Sequence, residues 1–499
     1  MWNVHFESGG QQVPEDKELL SKEGLRARYQ EIREVYASDN RPWVIGYSGG
    51  KDSTTALQLI WSALAELAPD QRKKPVYVLS SDTLVETPKI VDYIDTTLAR
   101  INSAARSSGM PISAHKVMPE IGDSFWVNLI GKGYPAPSRQ FRWCTERLKI
   151  SPANKFILDK VAEFGEVVVI LGVRKQESAT RAQVMSLHRI KGSLLSRHTT
   201  LANAFVYTPI EDFSVNDVWT YLLQVASPWG NNNRDLVTLY RNAQAGECPL
   251  VVDKSTASCG NSRFGCWVCT VVERDASMEA MIENGEEWLE PFLEFRDYLA
   301  RTQDPNLRSQ IRKFKRRNGQ IVTRDGVPQH FGPYTLEARQ DLLRRLLQIQ
   351  KVAGARSPNA DGRLISKEEL EIIRRIWRVE EQDWDDSVPK IYREIIGDDI
   401  EWVSDELPAF SSEERQTLAD ICSKYDVPPD MVGRLIDVER NLHGMSRRSS
   451  IQQKISAVFE EDWRSLDEFD DQSTDHLVTL DCSEESEPST STPKASLEV

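Results

Sequence analysis

The sequence of 499 residues contains no apolar run approaching the roughly eighteen residues that a membrane-spanning helix needs. Its first residues, MWNVHFESGGQQVPEDK, also lack the basic start and apolar stretch of a secretory signal peptide. We therefore expect a protein without membrane segments that works in the cytoplasm. In that reducing compartment its seven cysteines are expected to be metal ligands or catalytic thiols more often than disulfides.

Positive charge is outnumbered by negative charge in the chain as a whole, which has 62 Lys and Arg, 76 Asp and Glu, and a formal net charge of −14. Much of the deficit lies in residues 460–499, where 13 acidic residues, 2 basic residues and few apolar ones predict a disordered acidic tail. Between residues 301 and 363 the balance reverses to 14 basic and 5 acidic residues. This local excess is compatible with binding of DNA phosphates or with a solvated helical face. Its densest part comprises Arg308, Arg312, Lys313, Lys315, Arg316 and Arg317.

Short apolar runs alternate with helical stretches from residue 43 to residue 270, the pattern of a doubly wound α/β domain with a parallel sheet. The runs are PWVIGY, PVYVLSS, PISAHKVM, EVVVILGV and AFVYTPI. Beyond about residue 277 the strand pattern fades and helical periodicity replaces it. We therefore expect a helical lead-in over residues 1–40, the α/β domain over 41–275, a mainly helical region with the basic segment over 276–459, and the tail over 460–499.

Capping signals predict where several helices begin. In the α/β domain they are Thr87 with Pro88, Ser151 with Pro152, and Ser214 with Asp217. In the C-terminal half, the segments SKEELEIIRRIWRVEEQ and SSEERQTLADICSKY open with capping-box spacing and continue with helical periodicity.

The most specific motif is SGGKDS, residues 48–53, which follows the first apolar run and opens a helical stretch. Gly49 and Gly50 allow a tight turn in which successive backbone N–H groups point into one concavity, and a helix N-terminus adds partial positive charge. The hydroxyls of Ser48 and Ser53 are further donors. The segment is therefore predicted to cradle a polyphosphate, the alternative being a glycine-rich turn that only caps a helix.

Lys51 and Asp52 distinguish between two kinds of phosphate loop. A Walker A loop needs one more residue before the lysine, and Asp52 stands where that motif has a Ser or Thr for magnesium. The segment instead resembles the SGGxDS signature of the PP-loop family, whose members split ATP between its α and β phosphates and leave AMP on an acceptor. The resemblance implies ATP and Mg²⁺ as ligands of residues 48–53, with catalytic roles for Lys51 and Asp52.

Further segments resemble the phosphoadenylylsulfate reductase branch of this family. The second apolar run ends at Asp82, where open α/β sheets bind ligands, so Asp82 is a nucleotide-site candidate or else a turn cap. The segment LGVRKQES, with Arg181 beyond it, resembles an element of that branch that binds phosphate or sulfate. Arg174 and Arg181 would then bind an anionic acceptor through their guanidinium groups. The alternative is that they are surface arginines on a helix.

The segment RWCTERLKI, residues 142–150, resembles the RxCTxxLKI element of the same branch. It gathers Arg142, Arg147 and Lys149 around Cys144, and neighbouring cations lower a thiol pKa and favour the nucleophilic thiolate. Cys144 is therefore the candidate sulfur-handling residue. A buried structural cysteine is the alternative.

Four cysteines lie within 22 residues, separated by ten, six and two residues, and we expect them to be metal ligands. Four converging thiolates suit a [4Fe–4S] cluster or a tetrahedral zinc ion, and the lack of two close pairs favours the iron–sulfur alternative. Unligated cysteines are the third possibility. The four are Cys248, Cys259, Cys266 and Cys269.

A cysteine group placed after a reductase-like PP-loop domain, followed by a helical half, resembles the DndC family of DNA phosphorothioation proteins. The resemblance implies an iron–sulfur sulfurtransferase that acts on DNA, with a cysteine desulfurase as sulfur donor and other phosphorothioation subunits as partners. Two rivals stay open. One is a PP-loop iron–sulfur reductase or thiolase that acts on tRNA or a small sulfur compound, and the other is a non-catalytic DNA-binding scaffold with a nucleotide pocket.

Overall fold

The computed structural model describes residues 20–177, 183, 187–243, 265–321, 323–324, 327–328, 331–353, 363–403, 412–442 and 450–463. Arg181, Cys248, Cys259 and nearly all of the acidic tail lie outside the described residues. The chain divides into two compact units, one formed by residues 1–307 and 335–409 and the other by residues 308–334 and 410–499.

The first unit contains a mostly parallel sheet of six strands in the order β3-β2-β1-β4-β6-β5, in which β5 is antiparallel to β6. The strands are β1 Trp43–Gly46, β2 Val76–Ser81, β3 Ile112–Val117, β4 Val167–Ile170, β5 Ser196–Arg197 and β6 Ala204–Tyr207. The predicted α/β fold and its five apolar strands are thus confirmed. The two-residue β5 has no apolar run and was not predicted.

Both faces of the sheet are buried at β1 and β4, which explains why these strands read as continuous apolar runs. Along β1, Trp43 and Ile45 belong to the core on one face, whereas Val44 points to the other, because side chains alternate along a strand. Val168 and Val169 of β4 divide between the two faces in the same way. The sheet is therefore covered by helices on both sides.

The helices of the first half are α1 Lys22–Ala37, α2 Lys51–Ala65, α3 Pro88–Ser107, α4 Trp143–Thr145, α5 Ser151–Phe164, α6 Val215–Gln224 and α7 Asn233–Ala243. The predicted starts of α3 after Thr87 and of α6 after Ser214 are confirmed, and Ser214 and Asp217 form a reciprocal capping box. At Ser151 the prediction differs from the structure. The chain is already helical through the π turn Glu146–Ile150, so α5 continues it without a side-chain cap.

The described part of the chain beyond residue 276 is mainly helical, as predicted. Its helices are α8 Ala276–Glu283, α9 Glu290–Arg301, α10 Pro305–Ile311, α11 Leu336–Ala353, α12 Lys367–Glu380, α13 Ser387–Ile396, α14 Ser412–Lys424, α15 Pro429–Leu442 and α16 Ile451–Phe459. A short antiparallel pair, β7 Thr323–Arg324 and β8 Val327–Pro328, interrupts them. In the part of the chain that the structure describes, no helix combines the length and apolar character needed to cross a membrane.

Helices α11 and α12 pack against the π turn Val127–Gly131 of the α/β region within the first unit. Arg339 of α11 is almost completely buried, donates a hydrogen bond to the Gly131 carbonyl at 2.9 Å and pairs with Glu381 at 2.9 Å. The indole N–H of Trp377 donates to the Ile130 carbonyl, also at 2.9 Å. These buried polar contacts join the helical region to the segment that leads toward Cys144.

Gly133 tests this packing, because it has a φ of 70° and an added Cβ would lie 2.4 Å from Nε of the buried Arg339. We expect Gly133→Ala to lower the free energy of unfolding, measured in urea, by about 1–3 kcal/mol more than Gly109→Ala does. This range is typical of overpacking. Gly109→Ala is the control, since Gly109 has a φ of 61° but open space around it. Equal losses in the two variants would contradict the packing.

Candidate active site

The phosphate loop lies at the point where the strand connections of the sheet diverge. The chain leaves β1 toward β2 on one side, whereas β4 leads to β6 on the other. Ligands of open α/β sheets bind at the carboxyl ends of strands at such a switch point. The loop between Gly46 and Lys51, at the end of β1, and residues 171–174, at the end of β4, are therefore brought together.

Residues 48–53 form a compact loop that closes on itself. Gly49 has a φ of 72°, and a Cβ there would lie 2.3 Å from Cδ1 of Ile94. The Ser48 N–H donates to Oγ of Ser53 at 3.2 Å, and the Ser53 hydroxyl donates to the Gly50 carbonyl at 3.1 Å. The predicted glycine-dependent turn is present, and α2 begins directly after it at Lys51.

Asp52 links the loop to the neighbouring strand. Its Oδ2 accepts from Nζ of Lys51 at 2.8 Å, and its Oδ1 accepts from Nε of Arg174 at 2.7 Å. The Lys51 side chain is 7% exposed and that of Arg174 is 3% exposed. Gly172 permits this approach, because a Cβ there would lie 2.7 Å from the Asp52 carbonyl oxygen.

Arg174, which the sequence predicts to bind an anionic acceptor, is buried and donates from Nε to the Asp52 carboxylate. This contact connects the end of β4 to the phosphate loop. Anion binding by Arg174 stays a prediction. Arg181, its predicted companion, lies outside the described residues.

Tyr240 of α7 is a site residue that the motifs did not predict. Its hydroxyl accepts from the backbone N–H of Lys51 at 3.3 Å, and its ring centroid lies 5.3 Å from Nζ of Lys51. Trp219 packs edge-on against the ring at 5.1 Å between centroids. The Tyr240 hydroxyl oxygen thus lies beside the backbone N–H of Lys51, where a phosphate oxygen is expected when nucleotide binds. Tyr240 is 189 residues from Lys51 in sequence, so no local spacing could have indicated it.

Asp82 lies at the end of β2 but is already engaged. Its Oδ1 accepts from the Leu84 N–H at 2.9 Å, and its Oδ2 pairs with Nζ of Lys116 at 3.1 Å. Leu84 has a φ of 64°, so Asp82 closes a turn that contains a left-handed residue. The turn-cap interpretation matches these contacts, and nucleotide binding by Asp82 stays a prediction.

The turn after β2 also contacts the cysteine segment. The Trp267 N–H donates to the Val85 carbonyl at 2.9 Å, and Oγ1 of Thr83 lies 3.2 Å from Sγ of Cys266. Thr83 donates its hydroxyl hydrogen to Glu86 at 2.6 Å. Burial raises the pKa of Glu86, since a charged carboxylate is poorly solvated there. Cys266 is thereby held at the same edge of the sheet as the phosphate loop.

Three thiols lie close to one ammonium group in this region. The pKa of Lys149 is raised, first by negative charge on Cys266 and also by Glu86, Cys144 and Cys269. Cys144, which is distant in sequence, therefore lies near the described part of the predicted metal segment. Within the described residues, no group of three or more His, Cys, Asp or Glu side chains is arranged to hold a metal ion. The predicted ligands Cys248 and Cys259 lie outside those residues.

The expected activation of the Cys144 thiol is not found. Burial raises the pKa of Cys144, the neighbouring Cys269 raises it further, and Lys149 lowers it only in part. Arg147, one of the three expected cations, instead pairs with Asp123 and donates to the Tyr134 hydroxyl at 3.1 Å. The pKa of the free Cys144 thiol therefore lies above its ordinary value and not below it. Burial likewise raises the pKa of Cys266, to about 12.

The basic segment in the second compact unit is partly used for internal contacts. Arg312 donates to the Gly332 carbonyl at 2.7 Å and to that of Phe331, and burial lowers its pKa. Lys315 pairs with Glu461 at 3.0 Å and lies 3.6 Å from the ring centroid of Trp463. These two cations stabilise the unit, so the six charges are not all directed to a partner.

Comparisons with known proteins identify the region that contains this site. Residues 42–272 match the family model of the phosphoadenosine phosphosulfate reductase domain. An uncharacterized protein of Methanocaldococcus jannaschii is 27% identical over 263 residues, which cover 52% of this chain and 43% of that protein. The chain thus spans less than half the length of this relative.

A solved phosphoadenylyl-sulfate reductase from Candida auris, in a phosphate complex, is similar over 41% of this chain and 87% of its own, with 14% identity and a TM-score of 0.25. The family match covers the phosphate loop, Cys144 and the whole cysteine segment. Residues 42–272 are thus similar in sequence to the phosphoadenosine phosphosulfate reductase domain.

Proposed function

We propose that this protein is a cytoplasmic DNA phosphorothioation sulfurtransferase of the DndC kind, which splits ATP to activate a DNA backbone phosphate and then replaces a non-bridging oxygen by sulfur. The observation that carries the proposal is the placement of an SGGKDS loop and of Cys144, Cys266 and Cys269 in one reductase-like domain. ATP splitting and sulfur handling need these two groups within reach of one substrate. DNA as the acceptor rests on the resemblance in sequence.

The first step is adenylylation. A non-bridging oxygen of a DNA phosphodiester attacks the α phosphorus of ATP, the α–β phosphoanhydride bond breaks, and pyrophosphate leaves. Backbone N–H groups of residues 48–53 and the ammonium of Lys51 neutralise charge on the β and γ phosphates. Asp52 holds Lys51 in place and is in turn held by Arg174. Mg²⁺ bound to the phosphates would supply further charge neutralisation.

The second step is sulfur transfer. A cysteine desulfurase loads a persulfide on Cys144, whose terminal sulfur is more acidic than the free thiol and so ionises despite the raised pKa of Cys144. This sulfur attacks the adenylylated DNA phosphorus, a P–S bond forms, and AMP leaves. An external thiol then attacks Sγ of Cys144, breaks the S–S bond and releases the phosphorothioate. The resulting mixed disulfide is reduced by a second thiol.

The cysteine segment fits an iron–sulfur cluster in its chemistry. Cys266 and Cys269 are soft thiol donors in a turn closed by a 3.1 Å hydrogen bond from the Cys269 N–H to the Cys266 carbonyl. The ammonium of Lys149 compensates negative charge on them. We propose that they hold a [4Fe–4S] cluster together with Cys248 and Cys259. When bound, such a cluster would supply an electron-transfer centre.

The match to a reductase domain favours one rival, a PP-loop iron–sulfur reductase or thiolase that acts on tRNA or a small sulfur compound. The acceptor dependence of pyrophosphate release separates the alternatives. Stimulation by duplex DNA supports the proposal, whereas stimulation only by tRNA or by a small sulfur compound assigns the protein to the rival class. No release with any acceptor would favour a scaffold with a nucleotide pocket.

The phosphate loop is tested by Lys51→Ala and Asp52→Asn. Each removes one member of the Lys51–Asp52–Arg174 chain, and we expect DNA-stimulated pyrophosphate release to fall at least about 100-fold, as for other lost electrostatic contacts at reacting phosphates. Lys73→Ala, at an exposed lysine before β2, is the control and should keep the parent rate. Parent rates in both loop variants would remove the PP-loop assignment.

The metal is tested by elemental analysis after anaerobic purification. We expect about four iron atoms per chain, and we expect Cys266→Ser and Cys269→Ser to lose most of this iron. Cys422→Ala, at a buried cysteine of α14 in the second unit, should retain it. Stoichiometric zinc without iron would show that the site is structural zinc instead.

Cys144→Ser separates activation from sulfur transfer. A hydroxyl fills nearly the same space but cannot carry a persulfide, so we expect pyrophosphate release and iron content close to the parent and no phosphorothioate in DNA by mass spectrometry. Sulfuration at the parent level would make this thiol a bystander. If iron and sulfuration are both lost, Cys144 is instead a metal ligand. Its position near Cys269 is compatible with that role.

A further inference from the structure

A short exposed loop, residues 138–142, directly precedes Cys144 and its helical turn. Phe141 is 48% exposed, and Arg139 and Arg142 on either side of it are exposed as well. Within the part of the chain that the structure describes, neither guanidinium has an ion-pair partner. The loop thus presents one aromatic ring between two available cations.

This loop is fixed to a rigid base. The Ser138 N–H donates to the Phe141 carbonyl at 3.2 Å, and the Phe141 N–H donates back to Oγ of Ser138 at 3.1 Å. Trp143 anchors one end, since its indole N–H donates to the Pro135 carbonyl at 2.9 Å and its ring stacks on Phe125 at 5.3 Å between centroids. Exposed side chains on a fixed base bind with a smaller loss of conformational entropy than side chains on a mobile loop.

The loop also borders the cysteine segment. Oγ1 of Thr270, the residue after Cys269, donates to the Pro137 carbonyl at 2.6 Å. An open cavity of about 520 Å³ lies between them, with Ser138, Arg139 and Gln140 on one side and residues 270–273 on the other. This volume is within the usual range for sites that take small ligands or parts of larger ones.

Exposure of a single aromatic residue is ordinary in soluble proteins, so what distinguishes Phe141 is the charge of its neighbours. Phe164 offers the comparison, since it is 41% exposed but lies between Glu163 and Glu166 in sequence. It ends α5 at the opposite edge of the sheet from the phosphate loop. Acidic neighbours repel phosphates, whereas the two arginines beside Phe141 attract them.

We propose that residues 138–142 bind the DNA strand that is modified, with an unstacked base on the ring of Phe141 and backbone phosphates paired with Arg139 and Arg142. This inference rests on the proposed function and adds the surface that delivers the substrate. Aromatic rings with flanking arginines bind single strands by stacking and charge without reading sequence. The partner is therefore a DNA strand whose bases are locally unstacked.

The position of the loop also fits delivery to Cys144. Cys144 lies three positions after Phe141 in the chain, which limits their Cα distance to about 10 Å. A base stacked on Phe141 therefore brings the adjoining phosphodiester into the neighbourhood of the thiol.

The test is the fluorescence anisotropy of a labelled short single strand and of its duplex, titrated with the full chain at several salt concentrations. We expect Phe141→Ala to weaken single-strand binding at least about tenfold, whereas Phe141→Trp retains it. Arg139→Gln and Arg142→Gln should each reduce the slope of log affinity against log salt by about 0.7 to 0.9. Phe164→Ala and Arg106→Gln, at exposed residues toward the opposite edge of the sheet, should behave as the parent.

Three outcomes separate this inference from the proposed function. If the parent protein binds DNA and Phe141→Ala and Arg142→Gln bind it equally well with the same salt slope, the role of the loop is overturned. The proposed function is then unaffected. Parent protein that binds no DNA, or binds RNA alone, overturns the proposed function and with it the partner assigned here. A fall in affinity confined to the loop variants, with far-UV circular dichroism unchanged, supports the inference.

Discussion

The two-sided pairing of Asp52 is the contact on which the candidate active site depends. Its carboxylate joins Lys51, at the start of α2, to Arg174, just beyond β4, so it connects the loops of two neighbouring strands. Both cations are nearly buried, and removing one partner of a buried ion pair is strongly destabilising because the remaining charge loses its compensation. The close backbone approach at Gly172 reinforces this geometry. The phosphate loop is thus fixed by the sheet before any nucleotide binds.

The proposed sulfur chemistry depends on the same edge of the sheet. The turn after β2 holds Cys266 through Thr83, and the helical turn of Cys144 brings Lys149 close to these thiols. Burial raises the pKa of the Cys144 and Cys266 thiols, so under the proposed function their reactivity depends on persulfide formation or metal binding and not on an intrinsically low pKa.

Local patterns predicted much of the fold but only part of the site. The apolar runs gave the five parallel strands, and the capping box at Ser214 gave the start of α6, because both signals act over a few residues. The contacts of Tyr240 with Lys51 and of Arg174 with Asp52 join residues more than one hundred positions apart, and no spacing rule reports them. The expectation for the Cys144 pKa failed because nearby cations were counted while burial was not.

In the proposed reaction, the phosphate loop places AMP on a DNA phosphate before sulfur arrives. The decisive measurement uses Cys144→Ser, incubated with duplex DNA and with ATP labelled either at the α or at the γ phosphorus. We expect that α label accumulates on the DNA, that γ label leaves only as pyrophosphate, and that Lys51→Ala in the same background abolishes the labelling. Transfer of γ label to DNA, or pyrophosphate release with no α label on the DNA, would contradict the proposed reaction.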